Sequence, residues 1–589
     1  MGIRSLKIQA YMRKNRLDPH LARILLMLLV NERGGDPAGS EAPENGSGRK
    51  RSSCMSKQYD CIFTNGKIFT SDEKRPYADA MAVKDGRIAW IGEEKDLPGE
   101  GAKRVDLGAK RVLPGIVDNH MHPCHLAGTM EQIACLPPNV YSIAEIMEQV
   151  REKAAAAKPG EWILGWGYDE GKYREKRAPL RSELDKAAPN NPVALVRTCF
   201  HIACVNSRAL ELMGITKDTP DPVGGRIDHD EKGELTGILR EKARFMLMDI
   251  IPKDTPDEMA AKLAKLSDLL LSHGITAVSE AGGDSKPVDC YEIYAKAAEM
   301  GMKQRVAIYY FWDQMKDDPK PIPLERRDNT KQIFVGGVKL IGDGSVSGQT
   351  AWCDQPYLNT DACGFPVATE EDVMGAGAFA RENGVQLKYH AMGAKAIDRA
   401  VNAFYQEENW MKDGRPCVRI EHSAMASEQA MDRCARSGIA MTVQPIFLYC
   451  EIESYLTNLG PERTKTTYPT KTMLEKGVLT AFSSDAPATS WADPSDPFIG
   501  MKGAVTRVAY DGTDTGAAQR VDIRTAVELY TRESQKILGV ADVGRLAEGL
   551  HADFIVLDRD VLEIPSEEID QVKVDATYMG GEAVYVREK

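Results

Sequence analysis

Arg419 to Gln444 reads RIEHSAMASEQAMDRCARSGIAMTVQ. Two short apolar runs, Arg419–His422 and Ala440–Gln444, bracket an amphipathic stretch at Ser427–Ser437. That pattern predicts strand, helix, strand. Strands joined through a helical crossover lie parallel. The rhythm recurs upstream, where amphipathic Glu371–Asn383 precedes the apolar run Val385–His390. Further short apolar runs sit at Ile275–Glu280, Arg305–Phe311, Val335–Ile341 and Leu479–Ser484. Repeated βα units imply an α/β protein with a parallel sheet covered by helices. No sequence repeat of fixed period accompanies them.

Working outward, both ends of the folded chain are β-rich. Asp60–Thr70 carries two apolar runs around Asn65-Gly66, and Ala80–Ile91 repeats the design around Asp85-Gly86. Both are hairpin signals. Ala552–Asp558 and Ala583–Arg587 read as short strands, with Gly580-Gly581 as a turn. The simplest arrangement is a small β-sandwich built from residues 55–112 and 539–589, beside a central domain at 113–538. Residues at about 128–262 break the rhythm after the first strand and are too many for a βα loop. They predict an inserted subdomain over the site. Residues 1–54 read as a disordered or mis-started extension, since 31–53 are rich in Gly, Pro, Ser and charge.

The 589-residue chain carries a net charge of −12. That argues against a nucleic-acid or anionic-membrane partner. No run reaches the roughly 18 apolar residues of a membrane span. The 12 cysteines contain no C-x-x-C pair, which predicts reduced thiols in a cytoplasmic protein. The expected partner is a small-molecule substrate; a homodimer would be unsurprising.

Only ten histidines occur. His120-Met121-His122 follows the apolar run Val112–Val117, and alternate strand residues share a face. A His-x-His pair alone is a weak metal signal. It strengthens because Lys339, His390, His422 and Asp485 also fall at the C-terminal ends of predicted strands. In a (β/α)8 barrel those ends meet at one mouth, where catalytic residues gather.

Nine segments carry a resemblance: PGIVDNHMHP (114–123), WILGWGYDEGKY (162–173), PVALVRTCFHIACVNSRAL (192–210), GITAVSEAG (274–282), VKLIGDGSVSGQT (338–350), YHAMGAKAID (389–398), RIEHS (419–423), FSSDAP (482–487) and GRLAEGLHADFIVLD (544–558). Through them residues 58–588 resemble the amidohydrolase superfamily, and within it amidohydrolase family 3, the YtcJ-like branch. The resemblance implies a (β/α)8 TIM barrel with a two-metal site. His120, His122 and Asp485 would hold one ion, and His390 and His422 the other. Lys339 would bridge both as a CO2-derived carbamate, because a free lysine cannot bridge two cations. Lys388, on the same strand face as His390, is the rival. The ligands suit Zn2+ but tolerate Mn2+, Fe2+ or Co2+.

Such a site implies hydrolysis of a carbon–nitrogen amide-type bond in an N-acyl or N-formyl compound. A metal-activated hydroxide would attack the carbonyl carbon. The second metal would stabilise the oxyanion, and Asp485 would carry the proton to the leaving atom. Hydrolytic deamination, or ester or cyclic-amide hydrolysis, on the same ligands is the alternative. A non-catalytic metal-binding protein is a third reading, disfavoured by the complete ligand set. His201 would orient the substrate. Trp166, Tyr168, Asp169, Asp343 and Gln349 are substrate-binding candidates, with packing as the rival reading for the aromatic pair. Gln349 stands where the family usually has arginine, and Ala394 where it commonly has aspartate; both bear on substrate choice. Cys124 and His125 read as structural neighbours of the His pair.

Overall fold

The computed structural model describes residues 57–198, 202–222 and 225–588. The expected extension at 1–54 and the role expected of His201 lie outside the described residues.

Eight strands form the centre: β1 Ile116–Met121, β2 Ile275–Gly283, β3 Arg305–Phe311, β4 Ile333–Ile341, β5 Gln386–Ala391, β6 Val418–His422, β7 Ala440–Val443 and β8 Thr480–Phe482. They pair in chain order, and every neighbouring pair is parallel. The sheet is a nearly closed barrel. Past the strand ends, backbone bonds draw β8 back to β1: Asp485 N donates to His120 O and His122 N to Ala486 O, each at 2.8 Å.

Strand period sorts the barrel residues into two cores. Ile116, Val278, Val306, Ile308 and Val335 pack in the large core shared with the helices. Their neighbours Val117, Ala277, Ala307, Tyr309 and Phe334 pack with Leu538, Val540 and Val543 instead. The intervening helices carry their own start and stop signals. Ser427 Oγ accepts from Ala430 N to cap Glu428–Ser437, and Gly438 ends that helix at φ 76°. Thr369 and Asp372 form a capping box on Glu370–Asn383.

Two smaller sheets lie at the chain ends. A four-stranded sheet holds Lys57–Thr64, Ala80–Lys84, Arg87–Gly92 and Gly99–Asp106. A six-stranded sheet mixes Lys67–Phe69, Tyr77–Ala78 and Arg111–Pro114 with Phe554–Leu557, Val574–Met579 and Glu582–Val586. Phe63, Met81, Val112, Phe554 and Val556 share one core.

The expected hairpin at Asp85-Gly86 forms, with Lys84 opposite Arg87. The one at Asn65-Gly66 does not. Its flanking strands pair in different sheets, so the turn is a corner where the chain changes sheet. The single run Val112–Val117 also divides, between Arg111–Pro114 and β1. Gly115 marks the break, since a Cβ there would lie 2.4 Å from Thr276 Oγ1.

Between β1 and β2 the chain builds a six-stranded sheet with helices Ile143–Ala156, Arg181–Ala187 and Ser207–Met213 and its own buried clusters. Among the described residues, no helix is long and apolar enough to cross a membrane.

Candidate metal centre

The barrel mouth gathers the polar residues. His120 lies in β1 and His122 just beyond it; Lys339 is in β4, His390 in β5, His422 ends β6, and Asp485 follows β8. Register sets their neighbours: Lys339 lies opposite Lys388, Ile341 opposite His390, and Ala391 opposite His422. Two of the positions need unusual backbone, with φ 68° at His422 and φ 56° at Asp485. Non-glycine residues seldom adopt this left-handed region, and strained positions concentrate at functional sites.

Asp485 Oδ1 is 3.3 Å from Nε2 of both His120 and His122. One ligand atom from each of the three lies within 4.8 Å of the others. Lys339 Nζ is 3.4 Å from His120 Nε2. The His390 and His422 rings lie 4.4 Å apart, and His422 lies 4.9 Å from His120.

Three of the four imidazoles are hydrogen-bonded on the far side, and the fourth, His122, faces a carboxylate there. His120 Nδ1 bonds to Glu421, whose carboxylate also accepts from Arg419 Nε at 2.5 Å. His122 Nδ1 faces Glu280 Oε1 at 3.5 Å. His422 Nδ1 donates to Gln444 Oε1 at 2.9 Å. His390 Nε2 donates to Gly344 O at 3.0 Å. Acceptors bonded to His120 Nδ1, His422 Nδ1 and His390 Nε2 place the protons there, so the lone pairs are on Nε2 of His120 and His422 and on Nδ1 of His390. Asp485 Oδ1 is buried without a hydrogen-bond partner. Electron-pair donors converging around an unpartnered carboxylate oxygen fit a divalent cation.

Electrostatics agrees. Burial, with Lys339 nearby, holds His120 well below the usual imidazole value and His390 at about 4. Burial and the neighbouring histidines do the same to His422. All three are therefore neutral at pH 7. His122 differs: burial opposes its charge, but Asp485 and Glu280 outweigh it and raise the ring to about 8. A cation would displace that proton. Burial lowers Lys339 to about 8. Lys388 is lowered further by burial and Arg419, and it is spent within the barrel on Ser279 Oγ at 2.6 Å and Asn119 O at 3.2 Å.

Other expected residues lie differently. Asp343 is fully buried, and its carboxylate accepts from the backbone N–H of Trp352, Met392 and Gly393. It ties the loop after β4 to the turn after β5, and its Oδ1 lies 3.6 Å from His390 Nε2. The Gln349 amide is bonded to Asn458 at 2.7 Å. Tyr168 packs in a core of the region between β1 and β2, and Trp166 is buried in the same strand. Asp169 accepts from Gly171 N at 2.9 Å and lies 3.9 Å from Arg197. Burial pushes the Cys124 thiol well up, and its backbone N–H donates to Glu280 at 3.1 Å. His125 stacks on His122 at 5.6 Å.

Glu421, Glu280 and Gln444 were not expected at the site. Strand alternation points Glu421 away from His422. The positive φ of His422 breaks that alternation and brings both to the site. Glu421 stands one residue inside its quoted run, while Glu280 and Gln444 close theirs, and only the fold shows which histidine each one meets.

The described family pattern "Amidohydrolase family" matches residues 103–585. The chain is 28% identical over 543 residues to putative amidohydrolase YtcJ of Bacillus subtilis, covering 89% of this chain and 99% of that one. It is 28% identical over 556 residues to the N-substituted formamide deformylase of Arthrobacter pascens, covering 90% and 99%. An uncharacterized metal-dependent hydrolase from Pyrococcus horikoshii superposes with a TM-score of 0.68 at 26% identity, covering 86% and 99%. The chain belongs to the amidohydrolase family, as a metal-dependent hydrolase acting on carbon–nitrogen bonds.

Proposed function

We propose that the protein hydrolyses the amide-type C–N bond of a small N-acyl or N-formyl compound. The observation that carries this is the convergence of His120, His122 and Asp485, with Asp485 Oδ1 3.3 Å from Nε2 of both rings. The likeness to a formamide deformylase supports the bond type.

In this reading His120, His122 and Asp485 hold one divalent cation, and His390 and His422 hold a second. Zinc suits the donor set, and Mn2+, Fe2+ or Co2+ would serve. When bound, the cations supply Lewis acidity, which lowers the pKa of water and polarises a carbonyl. Lys339, as a carbamate, would supply an anionic ligand to both. The neutral amine adds through its lone pair to CO2 and releases one N–H proton, turning a cation into an anion. Burial favours this by making the neutral amine accessible near pH 8. Asp485 takes the proton of the attacking water and hands it to the leaving nitrogen, which departs as an amine. Glu421 and Gln444 hold the His120 and His422 rings in place and Glu280 faces that of His122, so little reorganisation is needed on binding.

The test is formate and amine release from N-formylbenzylamine and N-butylformamide, with adenosine and a phenyl acetate as comparators. Asp485→Asn should lower turnover at least about 10³-fold while the far-UV spectrum stays unchanged. Release of ammonia from adenosine without formamide cleavage would replace the proposal with the deaminase reading. Preferential cleavage of the acetate would favour the esterase reading. Undiminished turnover in Asp485→Asn would overturn the mechanism.

A further inference from the structure

A cleft of about 1230 Å³ opens beside the metal centre. Three of its lining residues adjoin the ligands: Cys124 and His125 follow His122, and Pro487 follows Asp485 by two residues. The His125 ring stacks on that of His122 at 5.6 Å, so the cleft begins where the site meets solvent. Its volume exceeds the roughly 300–1,000 Å³ usual for small-molecule sites. A bare formamide would leave most of it unfilled.

The lining has two characters. Trp162, Leu164, Met248, Ile251 and Met259 supply apolar wall. Lys153, Arg244, Lys253, Lys262 and Lys265 line it against Glu131, Glu161 and Asp254. Five cations to three carboxylates is a basic excess on a chain whose net charge is −12. Lys262 and Lys265 pair with Asp254 and Glu131 at 2.7 and 3.1 Å, which occupies two of the three carboxylates. A basic surface on an acidic chain attracts anions locally.

We propose that this cleft takes the far end of the substrate, an apolar stem ending in a carboxylate, while the amide sits at the metal centre. This rests on reading that centre as an amide hydrolase. It narrows the substrate class to N-acyl or N-formyl derivatives of ω-amino acids.

Two measurements on the full chain test it. The first needs no turnover: fluorescence titration with 11-(dansylamino)undecanoate and with its neutral primary amide. The variant is Met248→Asp combined with Lys253→Glu, both solvent-exposed positions. Saturable binding should appear, weaken at least about tenfold in the variant, and be tighter for the acid than for the amide. Equal affinity in wild type and variant, or no saturable binding, overturns the proposal. The second compares kcat/KM for N-formyl-6-aminohexanoate with that for N-hexylformamide. The ratio should favour the acid and fall at least about tenfold in the variant. A ratio of one in the wild type contradicts the proposal. Should the wild type hydrolyse neither, the amide-hydrolase reading fails, and the titration still decides the cleft.

Discussion

Glu421 joins two buried systems at once. It bonds to the far nitrogen of His120 and neutralises Arg419, which is fully buried. Burial raises its carboxyl, but Arg419, Lys388 and Lys339 more than offset this and hold it ionised. Replacing it with glutamine leaves the Arg419 charge without its anion, and breaking such a pair costs about 3–5 kcal/mol. Glu421→Gln should therefore lower the melting temperature and weaken metal binding about 10–100-fold, read by a chelator-buffered titration. Unchanged metal affinity would remove Glu421 from the account. A second, half-exposed pair lies away from the centre. His273 Nε2 is 3.2 Å from Asp493 Oδ2, and Nδ1 is 3.1 Å from Ser495 Oγ. Burial opposes the His273 charge, yet Asp493 raises its pKa above the ordinary value. A raised folded pKa means the contribution is full below about 6.5 and is lost as pH rises through the folded value. His273→Gln should thus destabilise by about 1 kcal/mol at pH 5.5 and by much less at pH 9, as urea unfolding would show. A loss that grows with pH would reverse the assignment.

At the scale of elements, the barrel depends on close contact between β4 and β5. A Cβ on Gly337 would lie 2.0 Å from Gln386 O, a backbone atom that cannot swing aside. Gly337→Ala should destabilise by at least about 3 kcal/mol, or abolish soluble expression, because overpacking forces the strands apart. Near-wild-type melting would show that the strands have slack. The same strands were the most legible feature of the sequence. Arg305–Phe311 is identical in both readings and the other barrel strands from β2 to β8 differ only near their ends, while Val112–Val117 divides between two sheets. Short apolar runs separated by amphipathic stretches survive because burial on both faces leaves little room for other residues. Turn chemistry transferred less well. Asp85-Gly86 closes a hairpin, but Asn65-Gly66 serves a corner, since a dipeptide fixes local direction and not which strand comes next. The ligands showed as scarce residues at strand ends. Glu421 did not, because alternation points it away from His422 until that residue leaves regular strand geometry at φ 68°, and a run's end at Glu280 or Gln444 does not say which histidine it meets.

At the scale of the molecule, one centre is fed by strands from β1 to β8, so its ligands tie together the two ends of the barrel. A cation there should stabilise the whole fold by mass action, by about 4 kcal/mol at a thousandfold excess over Kd. Dialysis against a chelator should lower the melting temperature, and added Zn2+ should restore it; no shift would mean that the centre does not bind metal in the folded state. The measurement that reaches the central claim most directly is metal content per chain on freshly purified protein, wild type beside Lys339→Ala. The account predicts about two equivalents in the wild type and a fall in the variant, because a bridging carbamate is lost. One equivalent that survives the substitution would contradict the bridged pair and favour a mononuclear centre.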